Sequence, residues 1–337
     1  MYVMLREGSA AKNLQKLIPL INRVTARRLL FVTDDRHPED LLNQGHIDYM
    51  IRMSVKSGVD LAIAIQLATL NAAEYFGLKK LGAIAPGFEA DLVVLDSQTL
   101  EVEAVYKKGK LVAQHGQPLF SCADQDFTPV SNSVHLGKFN IAKIKIPATT
   151  EWARVIELVP NNIRTASRIM SVPVLDGCYQ PSVEMDILKL IVVERHHHSG
   201  NIGLGLIKNY GLKRGAIASS VAHDSHNIVA VGTNDADIVA AVEELAKMQG
   251  GIAISLEGKI VGSLALPIAG LMSDQPLNEV QERLAKLQQM AYYLGVSQKL
   301  DPFMTLAFLT LPVIPELKLT DIGLIDVTEF KVVSVSV

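Results

Sequence analysis

The chain has 337 residues, of which 49% are hydrophobic and 20% are charged. A chain of this length is expected to form two or three domains, each with a core of useful size. The formal net charge of −3 excludes a strongly basic surface for nucleic acid, and Arg27-Arg28 and Lys107-Lys108 are isolated pairs typical of solvated faces.

The two cysteines, Cys122 and Cys178, have no CxxC spacing. They exclude a disulfide scaffold and a cysteine zinc site, and they fit a reducing compartment. The first residues lack a basic stretch followed by a long apolar core, so no signal peptide is predicted. No apolar run reaches the ~18–20 residues of a membrane span. We therefore predict a soluble cytoplasmic protein with neither a membrane nor a nucleic-acid partner.

The first part of the chain is predicted to alternate strands and helices. The predicted strands are 1–5 and 28–33, and the predicted helices are 10–22, 38–44, 47–57 and 61–73. Two strands cannot close a barrel or bury both faces of a parallel sheet. This pattern therefore indicates the end of a longer β/α series.

The character of the chain changes after residue 82. Strands at 90–96, 102–107 and 110–114 predict a small β unit, and the polar stretch 118–133 predicts a linker. The rest indicates an α+β or α/β domain. Its predicted strands are 141–146, 152–158, 187–194, 228–232, 251–256 and 259–266, and its predicted helices are 235–248 and 277–294.

Residues 82–96 read G-A-I-A-P-G-F-E-A-D-L-V-V-L-D. This run resembles the segment with which enzymes of the amidohydrolase superfamily re-enter their small β-sandwich. Residues 68–74, A-T-L-N-A-A-E, are similar to the last barrel helix of the same superfamily. In physical terms Gly87 permits a turn, and Asp91 caps or pairs at the start of a strand. A chance β-hairpin is the alternative.

Further segments resemble bacterial and archaeal adenine deaminases over nearly the whole chain. They are 6–14, 33–38, 45–49, 195–197, 200–203 and 218–227. The resemblance implies an α/β plus α+β protein in four parts. These are the C-terminal portion of a (β/α)8 barrel (1–77), a composite β-sandwich segment (78–120), a linker (121–133) and an α+β C-terminal domain (134–337).

The resemblance also implies metal-dependent hydrolysis of adenine to hypoxanthine and ammonia in purine salvage. One or two Mn²⁺ or Fe²⁺ ions would generate the attacking hydroxide. Asp34, at the end of a barrel strand, would contact the metal and shuttle a proton. The alternative for Asp34 is a plain helix cap. Substrate contact or support of the surrounding loop is expected from Arg6, Glu7, Ser9, Asp35, Arg36 and His37.

Histidines are frequent in the second half of the chain. His196, His197, His223, Asp224 and His226 are expected to line a domain interface and to cover the active site. A separate metal site of the second domain and structural histidines are the alternatives. Side chains alternate along an extended chain, so His197 points away from its two neighbours.

One departure from the family pattern concerns the metal ligands. The superfamily binds metal through His-x-His on the first strand, a bridging carboxylate and two later histidines, and no histidine precedes Asp34. A lone aspartate cannot hold a catalytic metal, since such sites use three or more protein ligands. The isolated chain is therefore expected to be inactive.

Three origins would explain that departure: a truncated product, a misplaced start, or one half of a split enzyme. The expected partners are then adenine, a separate N-terminal half or a second copy of the chain. The alternative from another class is a non-catalytic remnant that binds a partner. A different amidohydrolase, such as a dihydroorotase-like or imidazolonepropionase-like enzyme, is disfavoured because those enzymes do not normally carry so long a segment after the sandwich.

Overall fold

The computed structural model describes residues 1–9, 12–121, 125–160 and 162–337. The chain divides into two compact units, Met1–Gln125 and Asp126–Val337, with the boundary inside the predicted linker. Cys122 and the start of the helix predicted from residue 10 lie outside the described residues. No helix among the described residues is long and apolar enough to cross a membrane.

The first unit begins with two parallel strands, β1 (Val3–Arg6) and β2 (Leu29–Val32), in which Arg6 lies opposite Val32. Parallel strands end at the same edge of a sheet, so the residues that follow β1 and β2 are neighbours. The helices around this pair are α1 (Leu14–Leu17), α2 (Pro38–Asn43), α3 (Ile47–Lys56), α4 (Leu61–Ala68) and α5 (Leu70–Tyr75). The core is formed by Leu5, Leu29, Phe31, Met50 and Leu67 among others.

Two helices of this unit differ from the predicted ones. The helix predicted at 61–73 breaks at Thr69, whose hydroxyl donates to the carbonyl of Ile65 at 2.7 Å. Such a bond from a side chain back to the previous turn bends a helix. The helix predicted at 10–22 is the single turn α1 followed by a 3₁₀ turn, Ile18–Leu20, which contains Pro19. Proline has no N–H for the next helical bond, and the helix ends there.

The small β unit predicted after residue 82 is present, and its strands pair antiparallel. Its strands in spatial order are β3 (Leu92–Leu95), β4 (Val102–Lys107), β5 (Lys110–Gln114) and β6 (Gln117–Pro118). Asp91 pairs with Lys107 and accepts from the main-chain N–H of Lys108 at 2.8 Å. This acidic residue therefore fixes the start of β3 against the tight turn at Gly109, where φ is +77°.

The second unit is organised by an eight-stranded mixed sheet. The strands of that sheet are β8 (Trp152–Leu158), β9 (Thr165–Ser171), β12 (Ile187–Val193), β13 (Ile202–Lys208), β14 (Ala216–Ser219), β15 (Ile228–Gly232), β16 (Gly251–Leu256) and β17 (Lys259–Ala265). Their spatial order is β17-β16-β14-β15-β12-β13-β8-β9. Smaller sheets contain β7 (Ile146–Pro147), β10 (Val174–Leu175), β11 (Cys178–Tyr179), β18 (Leu317–Thr320), β19 (Gly323–Asp326) and β20 (Lys331–Val333).

Strand β12 lies at the centre of this unit, and every one of its residues is buried. Leu188, Leu190 and Val192 face one core cluster, and Ile191 and Val193 face another, as the alternation of side chains requires. Helix α6 (Asp235–Lys247) packs on the second cluster. Helices α7 (Leu277–Tyr293) and α8 (Pro302–Leu309) pack on the first. The sheet is thus covered by helices on both faces.

The prediction of a strand at 141–146 is wrong for most of these residues. Residues Ile141–Ile144 form a 3₁₀ turn, and only Ile146 and Pro147 pair as a strand. The side chain of Asn140 accepts from the N–H groups of Ala142 and Lys143 at 3.1 and 3.3 Å. These two capping bonds stabilise the turn where the apolar pattern alone indicated a strand.

Candidate active site at the ends of two parallel strands

Asp34 lies two residues beyond β2, at the edge where β1 also ends. Its Oδ2 accepts a hydrogen bond from Nη1 of Arg6 at 2.6 Å, and the two side chains are 46% and 34% exposed. An ion pair this exposed contributes at most ~1 kcal/mol to stability. Among the described residues the carboxylate accepts from no main-chain amide, and the N-cap of α2 is His37. Asp34 is therefore not the cap of the next helix.

Arg36 holds the loop that carries Asp34. Its guanidinium donates to the carbonyl of Glu7 at 3.2 Å, to the carbonyl of Gly45 at 2.9 Å and to Oε1 of Gln44 at 2.9 Å. It also lies 4.9 Å from the centre of the Tyr49 ring. The side chain thereby ties the loop after β2 to the segment after β1 and to the residues that follow α2, which places it in a supporting role.

Ser9 makes the second link between the two strand ends. Its hydroxyl donates to Asp40, and it accepts from the N–H of His37 at 2.8 Å. Its own N–H donates to the carbonyl of Asp35 at 2.8 Å. Of the residues expected near Asp34, Ser9, Asp35 and His37 thus meet through main-chain and hydroxyl contacts that order the loop.

The Glu7 carboxylate contacts the start of α1. It is 5% exposed, and its Oε2 accepts from the N–H of Leu14 at 3.1 Å. Burial raises the pKa of this carboxyl, although the bond from Leu14 and the charges of Lys12 and Arg36 oppose the shift. Through this contact Glu7 anchors the segment between β1 and α1.

His46 is a neighbour of this site to which the sequence analysis assigned no role. Its Nε2 lies 3.0 Å from the hydroxyl of Thr33, which directly precedes Asp34. Gly45 next to it has a φ of +100°, and a Cβ there would lie 2.3 Å from a carboxylate oxygen of Asp48. A glycine is therefore needed to bring the imidazole to the end of β2. The sequence signal was the place of His46 in the family-like segment 45–49, close to 33–38.

The residues around Asp34 do not by themselves form a metal centre. Within the described ranges, no group of three or more His, Cys, Asp or Glu side chains is placed to hold a metal ion. One Asp34 oxygen is already paired with Arg6. Catalytic metal sites use three protein ligands or more, so Asp34 alone does not fit a complete site.

In the second unit, Glu194 shapes the turn that carries three histidines. Its carboxylate accepts from the N–H groups of His196, His197 and Ser199 and from the Ser199 hydroxyl. Burial raises the pKa of Glu194, but these hydrogen bonds outweigh it and bring the pKa to about 2. The turn after β12 is therefore fixed by a carboxylate that stays ionised at neutral pH.

Arg195 points into the unit and joins three loops. Its guanidinium donates to the carbonyls of His226, Ser133 and Ala269, and it is 1% exposed. Gly270 leaves the room it needs, because a Cβ there would lie 2.7 Å from Nη1. Within the family-like segment 195–197, Arg195 therefore has a structural role, because its buried guanidinium holds three loops together.

The histidines predicted as a cover lie at the same end of the second unit. The rings of His223 and His226 are 5.7 Å apart in a turn, and His196 contacts the carbonyl of Ser225 at 2.8 Å. Asp224 lies 3.6 Å from Nδ1 of His223. Since no metal-holding group of three exists among the described residues, a separate metal site here finds no support. Their covering role stays a prediction.

We expect the turn at His226 to loosen as the pH falls. Its Nδ1 accepts from the N–H of Ala222 at 3.2 Å, so this nitrogen is unprotonated in the folded turn. Burial lowers the pKa of His226, as do the neighbouring His223, Arg195 and His196, while Asp224 opposes them. A lowered pKa means that the turn has its full stability above the ordinary value near 6.5 and loses it below. Hydrogen exchange over 221–228 at pH about 5 and about 7.5 measures this.

A matched variant isolates the imidazole from other groups. The φ of His226 is 51°, a region that Asn enters readily, and an Asn oxygen can accept the same bond without titrating. His226→Asn should therefore keep the turn protected at both pH values, while His115→Asn in the other unit should behave as the wild type. Equal acid loosening in His226→Asn would show that another group is responsible.

Comparison with known proteins shows which families the chain resembles. The profile of the adenine deaminase C-terminal domain matches residues 162–331, and that of the amidohydrolase family matches residues 3–112. Adenine deaminase 2 of Carboxydothermus hydrogenoformans is 56% identical over all of this chain and 59% of its own length. An adenine deaminase of Dehalococcoides mccartyi strain 195 is 49% identical over 99% of this chain and 58% of its own.

The similarity covers only part of the length of these relatives. The chain spans about 59% of the length of these relatives, each of which carries the matched region within one longer chain. A solved β-aspartyl dipeptidase of Fervidobacterium islandicum AW-1 is similar over 36% of this chain and 34% of its own, with 21% identity and a TM-score of 0.31. That limited overlap carries no argument about this chain.

Proposed function

Because this chain belongs to the adenine deaminase family, we propose that it supplies one side of a centre that hydrolyses adenine to hypoxanthine and ammonia. The observation that carries the proposal is the placement of Asp34. Its carboxylate lies at the carboxyl ends of β1 and β2, exposed and paired with a side chain rather than with main-chain amides. Chemistry in β/α folds is located at that edge of the strands.

In this proposal Asp34 moves a proton. Water adds to C6 of the purine, the bond from C6 to the exocyclic nitrogen breaks, and ammonia leaves. A carboxylate within hydrogen-bond reach accepts a proton from the water and returns it to the departing nitrogen. Arg6 orients the carboxylate through the 2.6 Å contact, and Arg36 and Ser9 keep the loop in place.

The divalent metal of such enzymes has no complete site among the described residues. We therefore assign no step of the reaction to it. We propose that Mn²⁺ or Fe²⁺ takes its other ligands from the part of the relatives' sequence that this chain does not match, with Asp34 as the contribution of this chain. On this account the isolated chain does not turn over adenine.

A separate N-terminal partner chain is not supported, since the relatives are single chains. A non-catalytic binding role likewise has no observation in its favour. Adenine is the substrate that we propose for this centre. The cytoplasmic location and association with a second copy of the chain stay predictions.

Substrate selectivity tests the proposal. The test uses a fusion that we call the joined protein. It links this chain to the part of the Carboxydothermus hydrogenoformans relative that this chain does not match, in the order of the relative's own sequence. With adenine, the joined protein should release ammonia and hypoxanthine in equal amounts. Cytosine, guanine and a β-aspartyl dipeptide serve as comparison substrates. Faster turnover of any of these than of adenine would overturn the assignment.

A further inference from the structure

A polar cavity of about 200 Å³ opens in the first unit where β1 and β2 begin. Tyr2 directly precedes β1, and Arg28 directly precedes β2. The lining consists of Tyr2, Arg27, Arg28, Gln66, Asn71 and Glu74. Since the strands are parallel, the cavity and Asp34 lie at opposite edges, roughly 15–20 Å apart at about 3.3 Å per residue. The cavity is thus separate from the candidate active site.

The two arginines give the cavity its charge. Among the described residues, neither Arg27 nor Arg28 forms an ion pair with a carboxylate, and Glu74 is the single acidic group in the lining. Two guanidinium groups against one carboxylate leave one net positive charge. The guanidinium of Arg28 lies 4.9 Å from the centre of the Tyr2 ring, which orients its planar fork. The ring of Tyr2 is itself held by Tyr75, with centres 5.4 Å apart.

The floor of the cavity is held by the hydrogen bonds of one buried amide side chain. Asn71 is 1% exposed, and its Nδ2 donates to the carbonyls of Ala26 and Leu29, both at 2.6 Å. Its Oδ1 accepts from Nε2 of Gln66 at 3.0 Å. These bonds fix the turn that carries the arginines, Thr25–Arg28, against α4 and α5. The two guanidinium groups are therefore presented from a held backbone.

We propose that this cavity binds a phosphate group. Arginine is the side chain best suited to such a group because its fork donates two parallel hydrogen bonds to phosphate oxygens. The volume is below the roughly 300–1,000 Å³ of pockets that enclose a drug-sized ligand. It admits a phosphate group and leaves any attached nucleoside outside. A cation is disfavoured, because Glu74 alone faces two positive groups.

Titration of the full chain tests this at low ionic strength, where screening is weak. Inorganic phosphate, AMP and adenosine are the three probes, followed by ³¹P NMR for the first two and by calorimetry for all. Saturable binding of inorganic phosphate is expected, and adenosine should not bind at this place. AMP that binds more tightly than inorganic phosphate would identify a nucleotide as the source of the group, and equal binding would identify free phosphate.

Variants locate the binding. The double change Arg27→Gln with Arg28→Gln should weaken phosphate binding at least about tenfold, since two charge-assisted contacts are lost. Glu74→Gln should strengthen it by removing a like charge. Arg23→Gln is the matched control, because Arg23 is exposed on the same segment but does not line the cavity. Unchanged circular dichroism verifies that each variant is folded.

Two results would overturn the proposal. One is the absence of saturable phosphate binding by the wild-type chain up to about 10 mM, roughly ten times the dissociation constant of a weak site near 1 mM. The other is an equal loss in Arg23→Gln and in the double variant, which would indicate general charge attraction. The experiment does not depend on deaminase activity, so its failure leaves the proposed function untouched.

Discussion

Asp34→Asn in the joined protein is expected to lower the rate of adenine hydrolysis by about 10²–10⁴-fold, the usual range for loss of a positioned acid-base group. The variant keeps the size of the side chain but removes its ability to take up a proton. The backbone at Asp34 has a φ of 59°, a region that Asn enters as readily as Asp, so the loop should keep its conformation. Initial rates of ammonia release at saturating adenine measure the effect.

The adjacent carboxylate provides the matched control. Asp35 follows Asp34 directly, and its carbonyl accepts from the N–H of Ser9 at 2.8 Å, a bond that Asp35→Asn leaves in place. Asp35→Asn is therefore expected to change the rate by less than about tenfold. A loss of similar size in both variants, or a larger loss in Asp35→Asn, would remove Asp34 from the reacting position.

Lys318→Met is expected to stabilise the chain by about 2 kcal/mol near pH 7. Lys318 is completely buried, and its ammonium donates to the carbonyl of Ile163 at 2.9 Å without a carboxylate partner among the described residues. Burial lowers its pKa from 10.5 to about 8. At ~1.4 kcal/mol per pKa unit, the buried charge costs about 3 kcal/mol at neutral pH. In the variant the carbonyl of Ile163 loses its hydrogen bond, which costs about 1 kcal/mol and reduces the net gain to about 2 kcal/mol.

The pH dependence separates this cause from simple repacking. Because the folded pKa of Lys318 is lowered, the cost is complete below about pH 8 and disappears as the pH rises from about 8 to 10.5. The difference in urea-unfolding free energy between Lys318→Met and wild type should shrink over that window. A difference that stays constant with pH would assign the gain to packing.

Lys189→Met is the contrasting variant. Lys189 is also buried, but it pairs with Asp235, which Lys145 contacts at 2.8 Å as well. Removal of one partner leaves a carboxylate with less compensation at the start of α6. We expect a destabilisation of about 1–3 kcal/mol by the same urea measurement. Stabilisation of similar size in both lysine variants would contradict the role assigned to their partners.

The periodicity of apolar residues predicted the strands and helices whose ends are marked by residues close to them in the sequence. The strands at 102–107 and 110–114 and the helix starting at Asp235 lie where the pattern indicated, because turn residues and the Asn234 cap mark their ends. Strand β13 was missed. Its Gly203 and Gly205 interrupt the apolar pattern, and their missing side chains make room for Thr320 and Leu319 of β18. A packing partner more than a hundred residues away leaves no local signal.

The candidate site shows the same division. Arg6 and Asp34 were placed at one edge because both follow short apolar runs, and the parallel pairing of β1 and β2 brings them to 2.6 Å. The contact between His46 and Thr33 could not be predicted, since it depends on the path of the loop through Gly45. The proposed phosphate cavity likewise joins Tyr2, the Arg27-Arg28 pair and residues of two helices. Both arginines are exposed, as the sequence indicated, but only the fold brings the other lining residues beside them.

The most direct test compares adenine turnover by the isolated chain and by the joined protein, each supplied with Mn²⁺ or Fe²⁺. The loss of adenine absorbance in the ultraviolet reports the rate in both. The account predicts turnover by the joined protein and none by the isolated chain, whose described residues contain no three-ligand metal group. Turnover by the isolated chain at a comparable rate, or none by the folded joined protein, would contradict it.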